Sequence, residues 1–234
     1  MRKLFNDKWE FAETPLDTAY FDVADDAWQA VTLPHDFLIT DVKALYRDAT
    51  GWYRKRFMLT ELELRQADRL FLNFDGVYMD SRVYLNGAVI GEWKYGYSSF
   101  TVELTENLKR EGENELLVSV RHQAPNSRWY SGAGIFRDVT LIGKGLTWIP
   151  ENGVYFHADP ETLDEFEIVV RTEIDGRDAK SVFVRQTLTG PEGEPVAWKQ
   201  VFETELIKDA PFVQGEKAGD RTEASGVVGR GGAA

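Results

Sequence analysis

Ser81-Arg82-Val83-Tyr84-Leu85-Asn86-Gly87-Ala88-Val89-Ile90-Gly91-Glu92-Trp93 is the stretch that decides the fold class. Two short runs rich in β-branched and aromatic residues flank an Asn-Gly pair. A two-residue type I′ turn needs positive φ at both central positions, which Asn and Gly tolerate, so the stretch predicts a β-hairpin. The same period of two recurs outward from it. Trp52 to Phe57 and Arg69 to Asp75 precede the hairpin, and Phe100 to Leu104, Glu115 to Arg121 and Phe136 to Ile142 follow it. Gly, Asn and Asp separate these runs at intervals of about 8–12 residues, the spacing of an antiparallel sandwich. Helical patterning is weak, with a turn or two expected at Leu62 to Gln66 and at Glu106 to Arg110.

The first series of strands ends near Lys144. Gly143-Lys144-Gly145 and Pro150-Glu151-Asn152-Gly153 read as a short linker, after which the pattern restarts. Val154 to His157, Phe166 to Arg171, Ser181 to Arg185 and Val196 to Phe202 are strand candidates, with turn chemistry at Asp175-Gly176 and Pro191-Glu192-Gly193. These four begin a second sandwich, whereas an immunoglobulin-like sandwich needs about seven strands. From Lys208 the pattern fails, and Ala218 to Ala234 is rich in Gly and Ala without an apolar period. Such a segment does not offset its ordering entropy and is expected to be disordered. The expected organisation is therefore 1–145, a β-sandwich; 146–208, a partial second sandwich of marginal stability with an open edge; and 209–234, a disordered Gly/Ala-rich tail. Four strands do not close a sandwich, so the chain is expected to have been cut, or read out of frame, partway through a domain.

Composition narrows the function classes. With 27 Lys and Arg against 39 Asp and Glu, the 234-residue chain carries a net charge of −12, which disfavours binding to nucleic acid or to an anionic membrane. Its longest basic run, Arg54-Lys55-Arg56, would be split across two faces by strand alternation. The absence of cysteine removes disulfides, thiol nucleophiles, iron–sulfur clusters and thiolate zinc sites, and fits a reducing compartment. The N-terminus lacks the apolar run of a secretory signal, and no run is long enough to span a bilayer, so the cytoplasm is the expected location.

Three segments are more specific. The first is Leu33-Pro34-His35-Asp36-Phe37-Leu38-Ile39-Thr40-Asp41, followed by Tyr46-Arg47-Asp48-Ala49-Thr50-Gly51-Trp52-Tyr53-Arg54-Lys55. The second is Phe74-Asp75-Gly76-Val77-Tyr78, with Val83-Tyr84-Leu85-Asn86-Gly87 and Gly96-Tyr97-Ser98-Ser99-Phe100. The third is Asn126-Ser127-Arg128-Trp129-Tyr130-Ser131-Gly132-Ala133-Gly134-Ile135-Phe136-Arg137-Asp138-Val139. In this order they resemble the N-terminal sugar-binding domain of glycoside hydrolase family 2, which includes β-galactosidases, β-glucuronidases and β-mannosidases. The resemblance is dense over 1–145, thinner to about 205, and closest to the β-galactosidase branch. It implies an all-β chain: a jelly-roll-like sandwich followed by the start of an immunoglobulin-like one. In the family a (β/α)₈ barrel follows and carries the retaining carboxylate pair. This chain ends before a barrel could begin, so no catalytic residue is expected in it.

The residues agree. Asn114-Glu115 has the order of the family's acid/base but opens a strand after a turn, which is a common place for polar residues. His35, His122 and His157 match no spaced metal motif, and His35 is better read as structural. Ser131-Gly132-Ala133-Gly134 is not a nucleophile elbow and Gly143-Lys144 is not a phosphate loop, so neither metal nor cofactor is expected. Sugar contact remains. Aromatic faces stack on sugar C–H groups, and an Arg fork pairs with hydroxyls. By resemblance Arg128, and more weakly Trp129, Tyr130 and Asp48, help wall a substrate pocket. The competing reading packs Trp129 and Tyr130 beneath their loop and pairs Arg128 with an Asp. Tyr95 and Tyr97 are either an exposed sugar platform or edge packing, and Trp9, Trp28, Trp52 and Trp93 are expected to fill the space between two sheets.

The expected partners follow. They are a β-galactoside or related sugar held weakly by this chain alone, a catalytic barrel domain or subunit outside it, and subunit contacts of a homo-oligomer in the full-length enzyme. The alternatives are a free-standing carbohydrate-binding module, an assembly domain, and a fragment of a β-glucuronidase or β-mannosidase.

Overall fold

The computed structural model of the chain describes residues 1–41, 43, 45–125, 132–160, 166–176, 187, 189–194, 199–207 and 221–229. The chain divides into two compact units, Met1–Gly145 and Leu146–Ala234.

The first unit is a sandwich of two antiparallel sheets. Its strands are β1 (Arg2–Leu4), β2 (Trp9–Thr14), β3 (Gln29–Val31), β4 (Ala49–Phe57), β5 (Arg69–Phe74), β6 (Ser81–Leu85), β7 (Ala88–Trp93), β8 (Phe100–Glu103), β9 (Asn114–His122) and β10 (Val139–Lys144). The four-stranded sheet runs β1-β10-β5-β8, and the six-stranded sheet runs β3-β2-β4-β9-β6-β7. Period-two alternation assigns the faces. Leu70, Leu72 and Phe74 of β5 meet Leu116, Val118 and Val120 of β9 in one buried core with Trp9, Tyr53 and Val83. Phe74, Phe100 and Trp93 stack successively at 4.9 and 5.5 Å.

The hairpin forms as its sequence predicts, with φ of 51° at Asn86 and 86° at Gly87. Asn86 also uses its side chain: Nδ2 donates to Asn114 Oδ1 at 2.8 Å, and Oδ1 accepts from the Glu115 amide at 3.0 Å. Asn114 is fully buried and also holds both the amide and the carbonyl of Lys109. The Asn114-Glu115 pair is thus a strand-start lock. Of the two helical candidates, the first is the helix α1 (Glu61–Arg65), begun by a Thr60–Glu63 capping box. The second, at 106–110, does not form a helix; residues 105–107 make a single turn.

Two expectations about the tryptophans need correction. Trp9 and Trp93 belong to or pack against the core, but Trp28 and Trp52 do not lie between the sheets. Tyr53 faces the core, so its neighbour Trp52 must face out. The segment from Thr18 to Trp28 then covers it. The Trp52 indole donates to the Thr18 carbonyl at 3.0 Å, Tyr20 lies 5.6 Å from Trp52 and 6.0 Å from Trp28, and the Arg54 guanidinium sits 4.0 Å over Trp28. Packing the half-buried Tyr20 and Trp28 rings over the buried Trp52 gives the outer face of the six-stranded sheet a small second core.

The second unit, by itself, is a five-stranded antiparallel sheet. It comprises β11 (Thr147–Trp148), β12 (Val154–Pro160), β13 (Phe166–Gly176), β14 (Lys199–Ile207) and β15 (Arg221–Gly229). The order is β11-β13-β15-β14, with β12 also pairing with β13. The strand candidate Ser181–Arg185 lies outside the described residues. The expectation of disorder over 209–234 is corrected at Arg221–Gly229, which is strand β15, placed between β13 and β14. A strand with a neighbour on each edge is held by backbone hydrogen bonds on both sides. It therefore needs no apolar period of its own. The rest of 209–234 lies outside the described residues.

Alternation splits the basic run: Arg54 and Arg56 pair outward with Glu10 and Glu115, whereas Lys55 points inward. The Lys55 Nζ lies 4.3 Å from the Phe5 ring and donates to the Asp7 carbonyl, and burial pushes its pKa down to about 8. The folded protein releases this proton near pH 8, while an unfolded lysine holds it to about pH 10.4. The unfolded state binds more protons in that window, so stability rises with pH across it. Urea denaturation from about pH 7 to about pH 10 is expected to show this rise in the native chain and to lose it in Lys55→Met. Identical pH profiles for the two proteins would contradict the assignment.

Candidate functional site

Ala49, Ser81, Trp93 and His122 mark one end of the six-stranded sheet, where paired strands begin or finish together. The connections at this end are 34–48, 75–80, 94–99 and 123–138. They are rich in polar and aromatic side chains, as a binding surface on a rigid scaffold requires.

The long 123–138 connection is fixed at two feet. At the first, the Ala124 amide donates to Asp48 Oδ1 at 2.8 Å. Buried His122 places Nδ1 2.8 Å from the Arg47 carbonyl, and Arg47 grips Glu13 at 2.5 and 2.8 Å while donating to the Phe37 carbonyl at 3.0 Å. At the second, the Phe37 amide donates to Ala133 and the His35 amide to Ile135, at 2.9 and 2.8 Å. Asp36 Oδ1 accepts from the amides of Leu38, Ile39 and Ala133. Gly134 exchanges both backbone bonds with Tyr78, at 2.8 and 2.9 Å. A Cβ on Gly134 would lie 2.3 Å from the His35 carbonyl oxygen and 2.5 Å from the Tyr53 hydroxyl, so only glycine fits this crossing. That hydroxyl is 2.9 Å from His35 Nδ1, and burial pushes the His35 pKa down, which favours a neutral, structural imidazole.

Between the feet lie Arg128, Trp129 and Tyr130, which are outside the described residues. Asp48 is described: it is exposed, at the first foot, with one carboxylate oxygen committed to Ala124. Beside it, Met79, Asp80, Arg121, Gln123, Ala124 and Pro125 line a shallow groove of about 370 Å³. Arg121 donates to Asp17 at 2.7 Å and to Gln123 Oε1 at 3.0 Å, with Asp80 3.9 Å away. Its guanidinium holds the Asp17 carboxyl below the usual range, the opposite of what a general acid needs. The groove offers fork donors, amides and carboxylates suited to hydroxyl groups. Sequence reasoning missed Arg121 and Gln123. The available signal was their position at the polar end of β9, immediately before the loop. Among the described residues no three His, Asp or Glu side chains are grouped to hold a metal.

Asp36 carries the second foot through three amide bonds, so Asp36→Ala is expected to destabilise the first unit by about 2 kcal/mol, and Asp36→Asn, which keeps an acceptor, by less. Chemical denaturation of the three proteins checks the order, and equal stability of native protein and Asp36→Ala would contradict it.

Comparison with known proteins places this architecture. Residues 15–145 match the model described as "Glycosyl hydrolases family 2, sugar binding domain". The β-galactosidase BoGH2A of Bacteroides ovatus is 36% identical over 232 aligned residues, covering 91% of this chain and 27% of that protein. A β-glucuronidase of Bacteroides fragilis is 27% identical over 200 aligned residues, covering 79% of this chain and 28% of its own length. A crystal structure of a β-glycosidase from Bacteroides vulgatus superposes on 99% of this chain with a TM-score of 0.71 at 24% identity, and covers 29% of that chain. The present chain thus spans roughly a quarter to a third of these relatives. The match across 15–145, which includes the fixed end loops, assigns the chain to glycosyl hydrolase family 2, with that family's sugar-binding domain as its first unit.

Proposed function

We propose that this chain is the carbohydrate-contacting N-terminal part of a β-galactosidase-type glycosidase that hydrolyses terminal β-galactosides, with the reacting carboxylates supplied by a catalytic barrel outside these residues. The observation that carries this reading is the double anchoring of the 123–138 connection within a family 2 sugar-binding domain. Fixing both feet makes the intervening loop less costly to order around a sugar. Arg128 supplies fork donors to sugar hydroxyls, Trp129 and Tyr130 supply stacking faces, and Asp48 adds an acceptor at the loop's foot. The β-galactosidase from Bacteroides ovatus supports the galactoside reading. The β-glucuronidase from Bacteroides fragilis supports a second reading, that of a β-glucuronidase segment.

The 234-residue chain is expected to leave an aryl β-galactoside intact. Hydrolysis by the pure chain, abolished by mutating one of its carboxylates, would overturn this reading. Calorimetric titration is expected to show weak, saturable binding of a β-galactoside, weakened several-fold by Arg128→Ala or Trp129→Ala, since a sugar held on one shallow face is only partly desolvated. Tighter binding of a β-glucuronide than of the galactoside would favour the second reading.

A further inference from the structure

Tyr95, Tyr97, Tyr78 and Phe136 form a connected row of rings beside the second foot of the loop. Tyr95 and Tyr97 meet edge to face at 5.7 Å, Tyr97 and Tyr78 at 5.3 Å, and Tyr78 and Phe136 at 6.5 Å. A Cβ on Gly96 would lie 2.2 Å from the Tyr78 ring. Glycine there lets the 95–97 backbone settle onto that ring, so the row is packed from beneath. Its outer member, Tyr95, is 61% exposed. Two exposed cations adjoin the row. Lys94 precedes Tyr95, and the Arg137 guanidinium lies 5.0 Å over Phe136 and donates to the Tyr97 and Asp75 carbonyls at 3.5 Å.

The net charge is −12, and Arg47, Arg54, Arg69, Arg82 and Arg121 each hold a carboxylate. Among the described residues Lys94 and Arg137 have no recorded carboxylate partner. An exposed ring on a rigid base accepts the C–H face of a pyranose, and adjacent cations that form no ion pair accept a carboxylate. We infer that Tyr95, Tyr97, Lys94 and Arg137 form a saccharide site in their own right that takes a uronic-acid unit of an acidic oligosaccharide. This rests on the reading that the chain contacts saccharides, but not on the galactoside assignment of the loop.

The test is titration of the full 234-residue chain with a galacturonate tetrasaccharide and with a neutral galactose tetrasaccharide. The acidic sugar is expected to bind, and to bind less well as salt is raised. Tyr95→Ala and Arg137→Gln should each weaken it roughly tenfold, while Tyr95→Phe retains binding and neutral-sugar binding is unchanged in all three. Equal thermal stability of the variants separates a lost contact from a lost fold, and Lys94→Gln provides an exposed-site variant if Arg137→Gln unfolds. Undetectable binding of the acidic sugar, or binding unaffected by Tyr95→Ala and by the folded cation variant, overturns this site. Neutral-sugar binding alone would overturn it while leaving the loop proposal standing. Acidic-sugar binding that follows the variants supports it even if the neutral sugar fails to bind.

Discussion

The buried hydroxyl of Tyr53 ties the core of the first unit to its loops. Strand alternation drives the Tyr53 ring between the sheets, where it packs 4.9 Å from Phe11. A phenol buried at that depth must find partners or lose about 1–3 kcal/mol. It finds them in His35, 2.9 Å away, and in the Ile135 amide. The hydroxyl therefore bonds the 34–37 segment and the 132–135 segment at once, and both must be in place for it to be satisfied. The pairing of those segments through Asp36, Phe37 and Gly134 completes the arrangement. A residue chosen by the core thus sets the geometry of the loop end.

The same alternation shapes the electrostatics. Outward from Tyr53, Trp52 and Arg54 build a second, smaller core with Tyr20 and Trp28, and Arg54 satisfies its charge on Glu10. Inward, Lys55 is held against Phe5 at the margin of the main core. The polar groove at the loop end follows the paired pattern, with Arg121 bonded to Asp17. The Tyr95 row departs from it, because its neighbouring cations have no recorded carboxylate partner. Two chemically different surfaces therefore occupy one end of the sandwich, one polar and internally neutralised, the other aromatic with cations alongside.

Most of the first unit was legible because its signals are local. Asn86-Gly87 names its own turn type, and alternating runs such as Leu116 to Val120 name their own buried face. Asp48 immediately precedes β4, and its bond to the Ala124 amide joins two segments 76 positions apart, which no local pattern announces. The errors share a cause. Size and a place at or beside strands point Trp28 and Trp52 to the main core, but it is a segment folding back from Thr18, not the facing sheet, that packs against them. Strand β15 was missed because its order comes from β13 and β14 on either side, while its own side chains carry no period.

By itself the sequence determined the class of structure and the family: period two, the turn residues and three motif segments are each contained within a short stretch of chain. It also determined that neither thiol chemistry nor a thiolate metal site was available. Tertiary structure alone decided which partner meets which residue. It brought Asp36 to Ala133 across 97 positions, Arg121 to Asp17 across 104, and Arg137 to the carbonyl of Tyr97 across 40. Those contacts connect segments far apart in the chain, and their identity depends on strand order and register. A local pattern specifies which face of a strand is buried. It does not specify what packs against either face, because that depends on the path of the whole chain.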